Sequence, residues 1–210
     1  DYITDKTGTP FHKKRVLEIG CGAGGILKYF QNQGNEVFGI DLASDYVKYG
    51  KEQGLNLEVA ELQSIKIPWE PDLVIYNNVI EHLIDPVSEL KNLAKIINKN
   101  TLLYIGVPNL KSLVRNYGSD LLKFIEIVHT FYFTLPTLQN VLNYAVYFFL
   151  QGSEGMSIRS VFKLSLKDNT KTQFRSDYIQ TVQFLKNTEK YHLVPSPTKM
   201  IFWAKKVFVA

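Results

Sequence analysis

The chain is 210 residues long, with 45% hydrophobic and 21% charged residues. That balance excludes a disordered, collagen-like or disulfide-stapled chain and suits one globular domain with its own core. The net charge of +4 is too mild to argue for nucleic acid, and a single cysteine, Cys21, points to a reducing, cytoplasmic setting.

In chain order, Val16, Leu17 and Ile19 form a short apolar run that stops at glycines. Ile26, Leu27 and Phe30 follow at helical spacing, with Gly34 as the stop. A second strand is predicted over Glu36 to Asp41, then a helix from Ser44, read as its N-cap, to Gln53. A third strand covers Leu57 to Glu61. Pro68 and Pro71 frame a loop, and a fourth, wholly apolar strand runs from Asp72 to Asn78. Pro86 opens a helix carrying Val87, Leu90, Leu93, Ala94 and Ile97, and Leu102 to Val107 is the fifth strand. Such alternation argues for a parallel α/β sheet with right-handed crossovers.

After Pro108 the alternation fails. A helix is predicted from Pro136 to about Leu150, a sixth strand over Ser157 to Leu164, a helix near Asp177 to Lys190, and a seventh strand over Lys199 to Phe208. Thr130 to Ser153 carries no charge, yet Pro136, Gln139, Asn140 and Asn143 make it a poor membrane span.

The strongest local signal is Glu18-Ile19-Gly20-Cys21-Gly22-Ala23-Gly24, at the carboxyl end of the first strand, where a nucleotide site belongs. Glycines let backbone approach a ligand without a Cβ clash. Asp41 ends the second strand 21 residues after Gly20, where a carboxylate can grip ribose hydroxyls. A dinucleotide and S-adenosylmethionine both fit this much. Glu18 favours the second, because a carboxylate there repels a diphosphate and attracts an ammonium and a sulfonium.

These residues resemble the first motif of class I S-adenosylmethionine-dependent methyltransferases. Asp41 matches the family's ribose-binding acid, and Ala60-Glu61 sits where the family often has Gly-Asp. Asp72-Leu73-Val74-Ile75 through Glu81-His82-Leu83-Ile84-Asp85-Pro86 is similar to the fourth-strand motif, and Leu103 to Asn109 to the fifth strand and its exit. The similarity covers residues 15–110 and is closest to the small-molecule group that includes the ubiquinone-biosynthesis O-methyltransferases. It implies a Rossmann-like sheet of seven strands, mostly parallel with the last antiparallel, and helices on both faces. It also implies S-adenosyl-L-methionine as cofactor. Glu18 and the Gly20, Cys21, Gly22 and Gly24 backbone would hold its methionine part, with Cys21 a small residue lining the site. Leu42 and Leu62 would sandwich the adenine, Glu61 would meet its amino group, and Asn77 and Asn78 would lie beside the sulfonium.

Some relatives carry Glu-x-x-Glu-His after the fourth strand for a divalent metal; here Asn78 replaces the first acid, so no metal is expected. His82 is then either part of a structural pair with Glu81 or the general base. His129, in Val128-His129-Thr130-Phe131-Tyr132-Phe133, is the second candidate base. Within a single domain, residues 15–110 form the cofactor core, 110–155 a helical lid that chooses the acceptor, and 156–210 the closing strands. The lid's apolar residues pack on the sheet, or form a pocket or membrane-surface face for a lipophilic acceptor. The basic residues Lys167, Lys171, Arg175, Lys205 and Lys206 are read as solvated. The reading that best fits is methyl transfer to a small-molecule oxygen. An NAD(P)-binding oxidoreductase and a catalytically silent binding domain are the alternatives.

Overall fold

The computed structural model describes residues 11–114, 120–165 and 176–193. The expected strand Lys199 to Phe208 and the basic residues Lys167, Lys171, Arg175, Lys205 and Lys206 lie outside the described residues.

Seven strands form one sheet: β1 (Arg15–Ile19), β2 (Glu36–Asp41), β3 (Leu57–Val59), β4 (Leu73–Asn77), β5 (Leu102–Pro108), β6 (Tyr147–Glu154) and β7 (Ser157–Leu164). Their order is β3-β2-β1-β4-β5-β7-β6. The first five are parallel; β7 runs antiparallel to both β5 and β6. The helices are α1 (Gly25–Asn32), α2 (Ser44–Glu52), α3 (Pro86–Leu93), the single-turn α4 (Leu121–Phe124), α5 (Leu135–Tyr144) and α6 (Tyr178–Leu193).

Successive strand residues feed opposite faces. Leu17, Phe38, Val74, Tyr76 and Leu103 pack with Leu90 and Leu93 of α3 and Leu138 and Leu142 of α5. Val16, Val37, Leu57, Leu73 and Ile75 pack with Leu27 and Phe30 of α1 and Val47 of α2. Both faces are covered, so the central strands read as unbroken apolar runs rather than as alternating ones.

Several expectations need correction. The expected helix over Pro136 to Leu150 stops at Tyr144, and Val146 turns the chain with a φ of 70°. Tyr147 then begins β6, and the sixth strand of the sequence reading, Ser157 to Leu164, is the seventh. Residues 147–154 of the segment expected as a helical lid are thus strand. The aromatic run suits either period, and pairing with β7 decides it: Tyr147 turns inward and is fully buried, while its neighbour Phe148 turns outward. Thr134 caps α5 by trading hydrogen bonds with Thr137. Ser44 is likewise the first helical residue of α2, not its cap.

The strand order reverses between β1 and β4, whose carboxyl ends open a crevice. Gly20 sits there with a φ of 67°, and a Cβ on it would strike the Val79 side chain. Gly24, with a φ of 79°, starts α1 and would place a Cβ 2.5 Å from Leu55 Cδ1. Gly20→Ala therefore incurs both left-handed strain and overlap, and urea unfolding should show a loss of about 2–4 kcal/mol. A loss below roughly 0.5 kcal/mol, the scale of an ordinary surface substitution, would refute this packing.

Candidate functional site

The Gly20 and Cys21 N–H groups both donate to the Ile40 carbonyl, at 2.8 and 3.1 Å, clamping the glycine loop to β2. Asp41 secures it from the other side. Its Oδ2 accepts from Gly22 N–H at 2.7 Å, and its Oδ1 accepts from Ala43 N–H at 2.8 Å. The acid expected to meet a ribose thus also organises both loops around it.

A cavity of about 610 Å³ opens above β1 and β2. Gly20, Asp41, Leu42, Glu61 and Leu62, singled out separately in the sequence, all line it. Leu62 is buried, whereas Leu42 is exposed at the rim. His82 lines it too, together with Gln63, Val79, Leu83, Ile84, Asp85, Ser88 and Glu89, none of which was individually foreseen as a wall residue. The turn after β4 and the start of α3 carry most of them, and Asp85 caps α3 by accepting from Ser88 N–H at 2.9 Å. Glu89 accepts from the buried Tyr76 hydroxyl at 3.1 Å, and burial raises its pKa.

Glu18 is 3% exposed and lies on the Val16 face of β1, beneath the start of α1. It does not line the cavity. Its Oε2 has no hydrogen-bond partner. Burial, opposed by the Leu27 N–H and reinforced by Asp41, pushes its pKa up to about 8. Cys21 also turns away from the cavity, contrary to the expectation that it lines the cofactor. Its sulfur sits in the α1-side core, and burial pushes the thiol up to about 12, away from the thiolate form.

A second cavity, about 390 Å³, adjoins the first through His82, which lines both. Asn78, at a φ of 55°, and His129 also line it; Asn77 lines neither. The His82 and His129 ring centroids are 4.7 Å apart. His82 Nδ1 donates to the Val128 carbonyl at 2.9 Å, which leaves Nε2 as the acceptor nitrogen. His129 Nε2 faces Glu126 Oε2 at 3.6 Å, and burial lowers the His129 pKa. The Glu81 carbonyl accepts from the Thr130 and Phe131 N–H groups at 2.8 and 3.1 Å, stitching the turn after β4 to the segment before α5. One ligand atom each from Glu81, His82 and His129 lies within 4.8 Å of the others, so the motif at which no metal was expected stands with His129 in a cluster able to hold a metal ion.

The glycine cradle fits a ligand with a compact amino-acid end, and Glu18 lies buried beneath it with one carboxyl oxygen lacking a hydrogen-bond partner. The acid-rich wall of Asp41, Glu61, Asp85 and Glu89 is a poor place for a diphosphate.

Residues 3–145 match the family model described as a methyltransferase domain. The chain belongs to that family. It is 32% identical over 117 residues to a ubiquinone biosynthesis O-methyltransferase of Aeromonas salmonicida, covering 52% of this chain and 49% of that protein. A protein of the same name from Pseudoalteromonas translucida is 30% identical over 149 residues, covering 60% and 63%. The chain therefore spans about half the length of the first of these relatives. The fold resembles magnesium protoporphyrin IX methyltransferase from Synechocystis, solved with bound SAH. The TM-score is 0.62 at 14% identity, covering 78% of this methyltransferase domain and 80% of that chain. A Mesorhizobium loti S-adenosylmethionine-dependent methyltransferase gives 0.60 at 12% identity, covering 77% and 96%. The expected seven-stranded Rossmann-like sheet is therefore present, and the oxidoreductase alternative falls.

Proposed function

We propose that this domain transfers a methyl group from S-adenosyl-L-methionine to an oxygen of a small-molecule acceptor. The observation that carries this reading is the sharing of His82 between the two adjoining cavities. In the first, the loop of Gly20, Gly22 and Gly24 takes the amino-acid end, and Asp41 accepts from the ribose hydroxyls. Leu42 and Leu62 flank the adenine, and Glu61 accepts from its amino group. In the second, the acceptor hydroxyl lies against His82 and His129, with Asn78 at the junction.

The bound cofactor supplies an electrophilic methyl. His82 Nε2, freed by the Nδ1–H bond to Val128, would take the proton from the acceptor oxygen, the sulfonium–methyl bond breaking to leave a neutral thioether as the oxygen–methyl bond forms. His129 is half-buried, burial lowers its pKa against the opposing pull of Glu126, and it can share that role. The rest of catalysis is positioning and exclusion of water.

No helix among the described residues is long and apolar enough to cross a membrane. Exposed Ile125, Ile127 and Val128, next to second-cavity residues Glu126 and His129, support a lipophilic acceptor and peripheral membrane contact. The buried lone Cys21 supports a cytoplasmic location. Residues 15–110 serve as the cofactor core and the α4–α5 segment as the part that selects the acceptor.

Calorimetry with S-adenosylhomocysteine tests the first half: absence of binding at high micromolar ligand defeats it. Radiolabelled methyl transfer to a panel of phenols tests the second. His82→Gln should keep S-adenosylhomocysteine affinity within roughly threefold while lowering kcat about 10²–10⁴-fold. An unchanged kcat removes His82 as the base.

A further inference from the structure

Glu89 lines the first cavity from the first turn of α3. That helix packs beside the turn Leu62–Ser64 that follows β3. Glu89 therefore shares the Glu61, Leu62 and Gln63 end of the cavity, the end read as taking the adenine. Tyr76 is fully buried and donates its hydroxyl to Glu89 Oε1 at 3.1 Å. A buried phenol needs an acceptor. Here that acceptor is a carboxyl group in a cavity wall, and the bond fixes where the group points. Burial raises the Glu89 pKa, the Tyr76 and Gln63 side chains draw it down, and the negative charge of Glu61 raises it again. Two acids thus meet at one end of the cavity, and Tyr76 takes only part of what a carboxylate can accept.

An exocyclic amino group carries two N–H donors. One meets Glu61; the second has no acceptor among the residues assigned to the cofactor. We propose that Glu89 is a specificity-determining residue that accepts from this second N–H, so that the two acids together demand a 6-amino purine. This rests on reading the first cavity as the cofactor site. Tyr76 is the positioning residue behind Glu89, touching the carboxyl group and not the ligand. A 6-oxo purine turns an acceptor toward two acceptors and takes away the donor each of them needs. A site built to hydrogen-bond an N–H rejects such an analogue far more strongly than it rejects a change of one methylene.

The test compares S-adenosylhomocysteine with S-inosylhomocysteine, its deaminated analogue, by calorimetry on the full chain. The unmodified chain should prefer the amino ligand by at least about thirtyfold. Glu89→Gln keeps the side chain's shape and adds an N–H that a 6-oxo group can accept. It should shrink the preference to about threefold or less, partly through tighter binding of the 6-oxo ligand. A merely structural Glu89 would weaken both ligands alike and leave their ratio unmoved. Tyr76→Phe keeps the ring but removes the hydroxyl that aims the carboxyl group, and should cut the preference by about threefold or more. Glu61→Gln, on an exposed side chain, should leave a preference of roughly tenfold, carried by Glu89. Equal affinity of the unmodified chain for the two ligands overturns the proposal, as does a preference that stays above about threefold in Glu89→Gln. Should that variant not fold, Tyr76→Phe decides by the same ratio, an unchanged preference overturning the proposal. Failure of the unmodified chain to bind either ligand is a distinct result, which would defeat the methyl-transfer reading and this proposal with it.

Discussion

Asp41→Ala should weaken S-adenosylhomocysteine binding by about 10²–10³-fold, which corresponds to roughly 3–4 kcal/mol. Two losses combine in that figure. The ribose loses a charged acceptor, worth about 1.5–3 kcal/mol. The loop loses its organiser, since Gly22 and Ala43 N–H both donate to this one carboxylate. Leaving them without partners costs about 1–3 kcal/mol each when buried and less here, where water reaches part of the site. Asp41→Asn keeps one acceptor oxygen and should fall between, near tenfold. Titration calorimetry distinguishes the cases, and binding within about threefold of the unmodified chain would remove Asp41 from the ribose site.

Glu18→Gln should have opposite effects on stability and binding. The carboxyl titrates at its ordinary 4.5 in the unfolded chain and at about 8 in the fold, chiefly through burial. Between those values the folded state holds a proton that the unfolded state has lost. The stability of the neutral form is fully present below pH 4.5 and is lost as pH rises through 8. The glutamine variant carries no such charge. Relative to the unmodified chain it should match near pH 4 and melt several degrees higher at pH 8.5, the scale expected of a few kcal/mol. A cationic ligand end prefers the ionised carboxylate, so ligand binding draws the proton out. Affinity in the unmodified chain should rise with pH from 6 to 8, by up to about tenfold per unit, with proton release visible on changing the buffer. Glu18→Gln should flatten that slope and cost about 10–100-fold at pH 8. A pH-independent affinity, equal in both proteins, would leave Glu18 as a buried acid at the base of the loop and nothing more.

Part of the wall of the first cavity was legible in the sequence. Gly20, Asp41, Leu42, Glu61 and Leu62 stand at or just beyond the carboxyl ends of successive strands, and parallel pairing brings all such ends to one edge of the sheet. The place of Cys21 in the motif says nothing about rotation. The left-handed turns at Gly20 and Gly22 carry its sulfur into the core beside Gly39. Residues 147–150 were misjudged because Tyr147, Phe148, Phe149 and Leu150 are apolar at every offset. Only the antiparallel partner β7 selects the two-residue period.

What the residues alone determined is whatever depends on near neighbours along the chain: the strand and helix alternation through Val107, the left-handed glycines of the loop, and the acid closing β2. What the tertiary structure decided is whatever depends on distant segments meeting. Placing β4 beside β1 makes Val79, Asp85 and Glu89 part of the cofactor wall. Carrying residues 128–131 back across the turn after β4 sets His129 against His82 and leaves the Glu81 carboxylate buried with no donor. Spacing in a sequence encodes a period and a face, but the partner on that face is fixed only when long-range packing closes.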